Sequence, residues 1–263
     1  MTLRVAVSGS GQMGAQILST LAAADDIQIA GVLEKFSEGD RYPLADGSSV
    51  PLRQSIDGLA DLAADVIVDF SNAAWTEQLL PRVIDAGVCP VIGTSGLSDS
   101  LVDQSAAACT AKQLGGVIAA NFALGAVMLI HLSRVAAPFF DAVEVIEQHH
   151  DGKVDAPSGT AIATAHAMRE ARSQDFRRNV AEREPLTNAR GAELGGASLH
   201  SVRLPGLVAH QEVIFGGQGE TLKLRHDSTH RESFMPGVLR AVRAVPDLDH
   251  LVVGLDRLLG LRD

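Results

Sequence analysis

A short β-branched apolar run that ends in glycines and opens into a helical pattern leaves a chain few architectures to choose from. Leu3–Ser8 (LRVAVS) is such a run and reads as a buried strand. Gly9-Ser10-Gly11-Gln12-Met13-Gly14 follows it as G-x-G-x-x-G, and Met13, Ile17, Leu18 and Leu21 then recur at helical spacing over 12–24. The first glycine suits a tight turn, the second lets backbone approach a pyrophosphate, and the third lets helix and strand pack closely. The helix N-terminus then faces the phosphates. Glu34 lies 20 residues after Gly14, at the end of a second strand over 27–33, where an acidic residue takes the ribose hydroxyls. Such a turn can serve packing alone, but the strand before it and the helix after it favour a dinucleotide. Lys35 could accept a 2′-phosphate that Glu34 would repel, so NADH and NADPH both stay open as cofactors.

The alternation continues. Strand patterns at 65–70, 88–92 and 116–120 are separated by helical stretches at 73–86 and 98–113. Strands alternating with helices of that length imply a parallel sheet with right-handed crossovers. Ligands gather at the C-terminal ends of such strands, which places Gly93-Thr94-Ser95-Gly96 and Ala119-Ala120-Asn121-Phe122 beside the nicotinamide half. Residues 41–56 read as a polar loop. After Asn121 the pattern changes. Helices are expected over 124–140, 158–172 and 234–244, a strand over 142–147, and an irregular, flexible loop over 174–196. Strands at 198–204, 211–216 and 221–225, joined by Gly-rich turns, read as antiparallel. The fold class is therefore α/β. A Rossmann-type parallel-sheet domain over 1–121, completed by about 232–263, joins a smaller α+β domain over 122–231 with a largely open, mixed or antiparallel sheet.

Composition removes several function classes. At 263 residues, 46% apolar and 21% charged, the chain can bury a full core and is not of disordered type. A net charge of −10 argues against a nucleic-acid partner but leaves room for a small anion in a local basic pocket. No apolar run reaches the roughly 18 residues of a membrane span, and no basic leader precedes the first strand. The two cysteines, Cys89 and Cys109, make no disulfide framework and suit a reducing cytoplasm. Cys89 precedes the Gly93 turn, but a buried thiol is the plainer reading than a catalytic one.

Glu147 to Thr160, EQHHDGKVDAPSGT, is the most chemically dense segment. His149 and His150 leave a strand as neighbours, which point to opposite faces and make a poor chelating pair. No C-x-x-C or H-E-x-x-H spacing occurs, so no metal is expected. A histidine suits general acid work near neutral pH, and Lys153 adds a positive charge or a second proton. Ser158-Gly159-Thr160 opens a helix after Pro157. Glycine allows close approach, the hydroxyls donate, and free N–H groups bind an anion such as a carboxylate. A plain N-cap by Asp155 or Ser158 is the bland alternative. Arg231, at the edge of the last strand, could add an anion contact, although a surface arginine is the commoner case. His131, His166, His200, His210 and His250 read as solvated or core residues.

With both segments in view, the chain resembles the 4-hydroxy-tetrahydrodipicolinate reductase family of bacterial diaminopimelate and lysine biosynthesis. EQHHDGKVDAPSGTA carries the resemblance, with DFSNA (69–73), GTSG (93–96), AANFALG (119–125) and the segment 206–237. The resemblance implies a homotetramer built by the sheet of the second, substrate-binding domain, and reduction of a cyclic imine dicarboxylate with NADH or NADPH. It implies His149 as proton donor, Lys153 as a second donor, and His150, Gly159 and Thr160 as substrate contacts aided by Ser158 and Arg231. Cofactor contacts would be Gly9 to Gly14, Glu34, Lys35, Gly93 to Ser95 and Ala119 to Phe122. Two departures stand out. The family turn is usually G-x-x-G-x-M-G, often with a basic residue before the Met; here it is one residue shorter and carries Gln12. The usual DFT-x-P becomes Asp69-Phe70-Ser71-Asn72-Ala73, which predicts a less rigid loop. Another Rossmann imino- or amino-acid dehydrogenase, such as one acting on aspartate, would need no HH-x-x-K loop. A non-catalytic NAD(P) sensor would have no use for the acid.

Overall fold

The computed structural model describes residues 2–180, 182–183, 185–187 and 189–262. Two compact units divide it, Met1–Phe122 with Phe234–Asp263, and Ala123–Ser233.

The first unit begins with β1 (Leu3–Ser8), α1 (Gln12–Ala22) and β2 (Ile27–Leu33). α1 buries Gly14, Ile17, Leu18 and Leu21, the stripe expected of a helix covering one sheet face. Next come β3 (Arg41–Pro43) and β4 (Ser49–Arg53), where the sequence suggests only a loop. They form an antiparallel hairpin, and β4 lies parallel to β2 through Val32 and Leu33. Val50 and Leu52, both buried, supply a period-2 signal too short to stand out among the surrounding polar residues. β5 (Val66–Asp69), α2 (Ala73–Asp85), β6 (Cys89–Ile92), α3 (Asp99–Lys112) and β7 (Gly116–Ile118) continue the alternation. β5, β6 and β7 are buried throughout, as strands covered on both faces must be.

The second unit opens with α4 (Leu124–Ala136). The helix is shorter than expected because Pro138 cannot donate to it, and a 3₁₀ turn over Ala137–Phe139 takes over. β8 (Ala142–His149) runs two residues past its expected end, so His149 is itself a strand residue. α5 (Gly159–Glu170), β9 (Ala192–Leu194), β10 (Ala197–Arg203), β11 (Ala209–Gly217) and β12 (Glu220–Ser228) follow. Their sheet has the order β12-β11-β8-β10-β9. β11 is antiparallel to β12, as expected, and also to β8. β10 is parallel to β8 and so runs opposite to β11, which makes the sheet mixed, and β9 lies inside the expected loop. Strand direction is set by the long connection through α5, which no local pattern reveals. The core lies under α4 and α5, where Val143, Val145, Leu199, Val213 and Phe215 meet Leu129, Ala161, Ala165 and Met168.

The chain then completes the first unit with α6 (Met235–Ala244), β13 (Leu251–Val253) and α7 (Leu255–Leu258). β13 escapes sequence reading because its three residues are too few to show a period. It pairs with β7, giving an eight-stranded sheet ordered β13-β7-β6-β5-β1-β2-β4-β3, in which only β3 runs antiparallel to its neighbour. Arg243 of α6 clamps Asp26 with Nε and Nη2, each at 2.8 Å.

The glycine turn depends on one close approach. Gly9 has φ +85°, and a Cβ on Gly14 would lie 2.0 Å from the Gly9 carbonyl oxygen. At Gly11 a Cβ would meet nothing within 4 Å. Gly14→Ala should therefore cost about 1–3 kcal/mol of stability, and Gly11→Ala no more than about 0.5 kcal/mol. Urea unfolding of both variants checks this; equal losses would mean that the turn does not rest on that approach.

Candidate active site

The dinucleotide-type residues collect at the C-terminal edge of the eight-stranded sheet. Ser10 donates to Glu34 Oε2 through its N–H (2.8 Å) and its hydroxyl (2.9 Å), and the Phe36 N–H donates to Oε1 (3.1 Å). Partial burial raises the Glu34 pKa, but these hydrogen bonds outweigh it and hold the carboxyl below the ordinary glutamate range. Lys35 and Phe36 are exposed beside it, with the ammonium 5.8 Å from the Phe36 ring centre. Gln12 and Met13 open α1. Open space in front of Gly11 and the free N–H groups of the α1 N-terminus fit a bound phosphate.

The loop after β5 is held, not loose as the departure at 69–73 suggests. Asp69 is fully buried and accepts from Ser71 Oγ (2.7 Å), Thr76 Oγ1 (2.5 Å) and Thr94 Oγ1 (3.0 Å). Asn72 caps α2 by accepting from the Trp75 N–H. Gly93 is pressed on Phe70: a Cβ there would come within 2.2 Å of its ring. Phe70 in turn stacks tilted on Phe122, with ring centres 5.2 Å apart. The Ala119 N–H donates to Ile92 O, tying the 119–122 segment to β6. Ser95 and Ala120 are exposed at the same edge, and Asn121 is half-buried.

In the second unit a buried carboxylate missed in sequence organises the EQHHDGKVDAPSGT segment. Glu147 follows Val143 and Val145 on the inward face of β8 and is fully buried. Arg203, opposite His149 across the β8–β10 ladder, grips it with Nη2 on Oε1 (2.8 Å) and Nη1 on Oε2 (2.9 Å). Burial raises the Glu147 pKa, yet hydrogen bonds led by Arg203 outweigh it and keep the carboxyl below its usual range. His149 Nδ1 lies 2.5 Å from Glu147 Oε2, and the Ser158 N–H donates to Oε1 at 3.1 Å. A further Arg203 bond runs from Nη2 to the Asp155 carbonyl (2.6 Å). Desolvation lowers the His149 pKa, Glu147 opposes this, and Lys153 and Arg203 add to it; the net is a value below the ordinary histidine.

Lys153 pairs with Asp155 through Nζ at 2.6 Å. Ser158 caps α5 by accepting from the Ala161 N–H (3.2 Å), which settles the choice between Asp155 and Ser158. The position of Gly159 is open, with nothing within 4 Å of where a Cβ would stand. Gln211 donates to Thr164 Oγ1, which donates to the Thr160 carbonyl, bracing the first turn of α5. His150 is exposed and lies just past the end of β8, where its carbonyl accepts from the Lys153 N–H. Arg231 lies not on a strand edge but in a 3₁₀ turn over Arg231–Phe234, because β12 ends at Ser228. Among the described residues no group of three or more His, Cys, Asp or Glu side chains could hold a metal ion.

The model described as "Dihydrodipicolinate reductase, N-terminus" matches residues 3–122, and that described as "Dihydrodipicolinate reductase, C-terminus" matches 125–259. The chain belongs to the dihydrodipicolinate reductase family. It is 42% identical over 263 residues to the 4-hydroxy-tetrahydrodipicolinate reductase of Moorella thermoacetica, covering 98% of each chain. Against that of Halalkalibacterium halodurans it is 41% identical over 262 residues, covering 98% of this chain and 99% of the relative. The solved dipicolinate-bound dihydrodipicolinate reductase of Paenisporosarcina sp. TG-14 superposes with a TM-score of 0.89 at 37% identity, covering 98% of this chain and 99% of that one. Membership favours the reductase over an amino-acid dehydrogenase or an NAD(P) sensor.

The Glu147–Arg203 pair gives a measurable consequence. Arg203→Met leaves a buried carboxylate unpaired and should lower stability by about 3–5 kcal/mol at pH 7. In the native protein the depressed Glu147 pKa contributes stability that is lost as pH falls. In the variant that pKa rises, so protonation relieves the defect and its deficit should shrink on acidification. Urea unfolding at pH 7.5 and 5 reads this out; an equal deficit at both would place the effect outside the ion pair.

Proposed function

We propose that this chain reduces 4-hydroxy-tetrahydrodipicolinate to tetrahydrodipicolinate, with release of water, as an NAD(P)H-dependent step of lysine and diaminopimelate biosynthesis. The observation that carries the site assignment is the His149 ring held by Nδ1 against buried Glu147. An ionised carboxylate only accepts, so Nδ1 keeps its proton and Nε2 is the atom left for substrate. When bound, the cofactor would supply a hydride to the carbon conjugated with the imine, once the 4-hydroxyl has left as water. His149 then delivers the proton that balances it. Lys153, half-buried and next to Asp155, is the second donor and can assist departure of the 4-hydroxyl. Ser158, Gly159 and Thr160 receive a carboxylate at the α5 N-terminus, with His150 and Arg231 as further contacts. Gly9 to Gly14, Glu34, Lys35, Gly93 to Ser95 and Ala119 to Phe122 hold the dinucleotide. Residues 1–121 with about 232–263 are taken as the cofactor domain, and 122–231 as the substrate domain.

The partners follow from surface chemistry. One face of the five-stranded sheet is covered by α4 and α5. The other carries half-buried Ile146 and Ile214 among ion pairs such as Glu144–His200 and Glu212–Arg225, a mixed surface suited to a homotetramer. Net charge of −10 disfavours nucleic acid. No helix among the described residues is long and apolar enough to cross a membrane. The free thiols of Cys89 and Cys109 fit a cytoplasmic location.

His149→Gln and Lys153→Ala should each lower kcat by about 10²-fold or more. A coupled assay, in which the synthase product is supplied and NADH and NADPH oxidation are followed separately, measures it. Near-normal turnover in both variants would remove the mechanism. Pyridine-2,6-dicarboxylate should inhibit competitively with the dicarboxylate substrate; no inhibition at millimolar levels would count against the substrate.

A further inference from the structure

We infer that Glu147 is a positioning residue of this reaction, a single buried carboxylate that sets the proton donor and the carboxylate cradle in register. The inference rests on the reductase reading and deepens it. One Glu147 oxygen holds the His149 ring at Nδ1, 2.5 Å away; the other holds the Ser158 N–H, 3.1 Å away, at the residue that caps α5. The two functional pieces are separated by a loop over 150–157, which on its own would leave their spacing undefined. They are joined through a side chain that cannot itself move, because Arg203 fastens both of its oxygens and the core closes over it.

The same contact tunes the acid. Three charged groups act on the imidazole: Glu147 on β8, Arg203 on β10, and Lys153 on the loop, itself paired with Asp155. On β11 the residue opposite His149 is Ala209, which carries no charge. Lys153 and Arg203 both disfavour imidazolium, as does burial, and Glu147 is the anion in direct contact that favours it. Without that anion the ring would shed its proton at lower pH, and the donor would be empty over more of the neutral range.

The test is the pH profile of kcat/KM and of kcat in Glu147→Gln and Glu147→Asp. In Glu147→Gln, kcat at neutral pH should fall about tenfold or more. The limb on which activity disappears as His149 deprotonates should move to lower pH, and KM for the dicarboxylate should rise as the Ser158 contact weakens. Glu147→Asp keeps the charge but is one methylene short. It should keep the limb near its native position with a reduced kcat, and it serves as the readout if the Gln variant does not accumulate in folded form. A residue acting only in folding would lower the active fraction and leave the limb where it is. An unmoved limb in Glu147→Gln, or native kcat in Glu147→Asp, overturns the inference. If His149→Gln is inactive while those profiles stay native, the reductase reading stands without it. Normal turnover in His149→Gln removes both.

Discussion

The substrate-type unit is organised around one buried ion pair. Taking a carboxylate and a guanidinium out of water costs several kcal/mol each, and their attraction offsets this only where geometry is good and the remaining hydrogen-bonding capacity is used. Glu147 and Arg203 meet most of that condition through a bidentate contact, with the Ser158 N–H and the Asp155 carbonyl taking further positions, while Arg203 Nε is buried without a partner. A hydrophobic pair of similar volume could pack as well, but it could not hold a histidine ring by one nitrogen and a helix start by its first N–H. The charge is kept, in this view, for what it orders: His149 directly, and the 150–157 loop through the backbone of Asp155, whose side chain holds Lys153.

The dinucleotide-type unit follows the same logic with different partners. Asp69 ends β5 inside the core and accepts from hydroxyls on the next loop, on α2 and on the Gly93 turn. Backbone that is to meet a ligand is thus braced from below by a carboxylate on the preceding strand. Binding then need not order that backbone, and less of the interaction energy is lost to entropy. The glycines complete the arrangement. Gly14 lets α1 sit against the turn, and Gly93 lets a loop lie flat on Phe70, so both surfaces are rigid although they are loops.

What could be read from the residues follows from how local the controlling interaction is. The parallel alternation is local, since period, turn glycines and helix length lie within thirty residues of each other, and β1 and β2 match their expected bounds. The chemistry of His149, Lys153 and the Ser158 turn is dense enough to identify as a segment. Glu147 carried a readable signal: it continues the inward row of Val143 and Val145, where a charged residue needs a partner. Its partner was not readable. Arg203 stands 56 residues away, and only the parallel pairing of β10 with β8 brings it opposite His149. The hairpin of β3 and β4 and the short β9 and β13 were lost for the same reason, because each is made a strand by its neighbour rather than by its own composition.

Electrostatics at the end of β2 bears on the hydride donor. Glu34 is an anion anchored by Ser10 and the Phe36 N–H, so it cannot swing aside without leaving those donors unpaired. A 2′-phosphate placed there would meet a fixed negative charge, whereas a ribose hydroxyl would meet an acceptor. Lys35 is the compensating cation, but it is exposed, sits over Phe36, and acts through a flexible stem in high dielectric. A fixed anion thus stands beside a mobile cation, so NADH and NADPH each find a group that suits them at the end of β2.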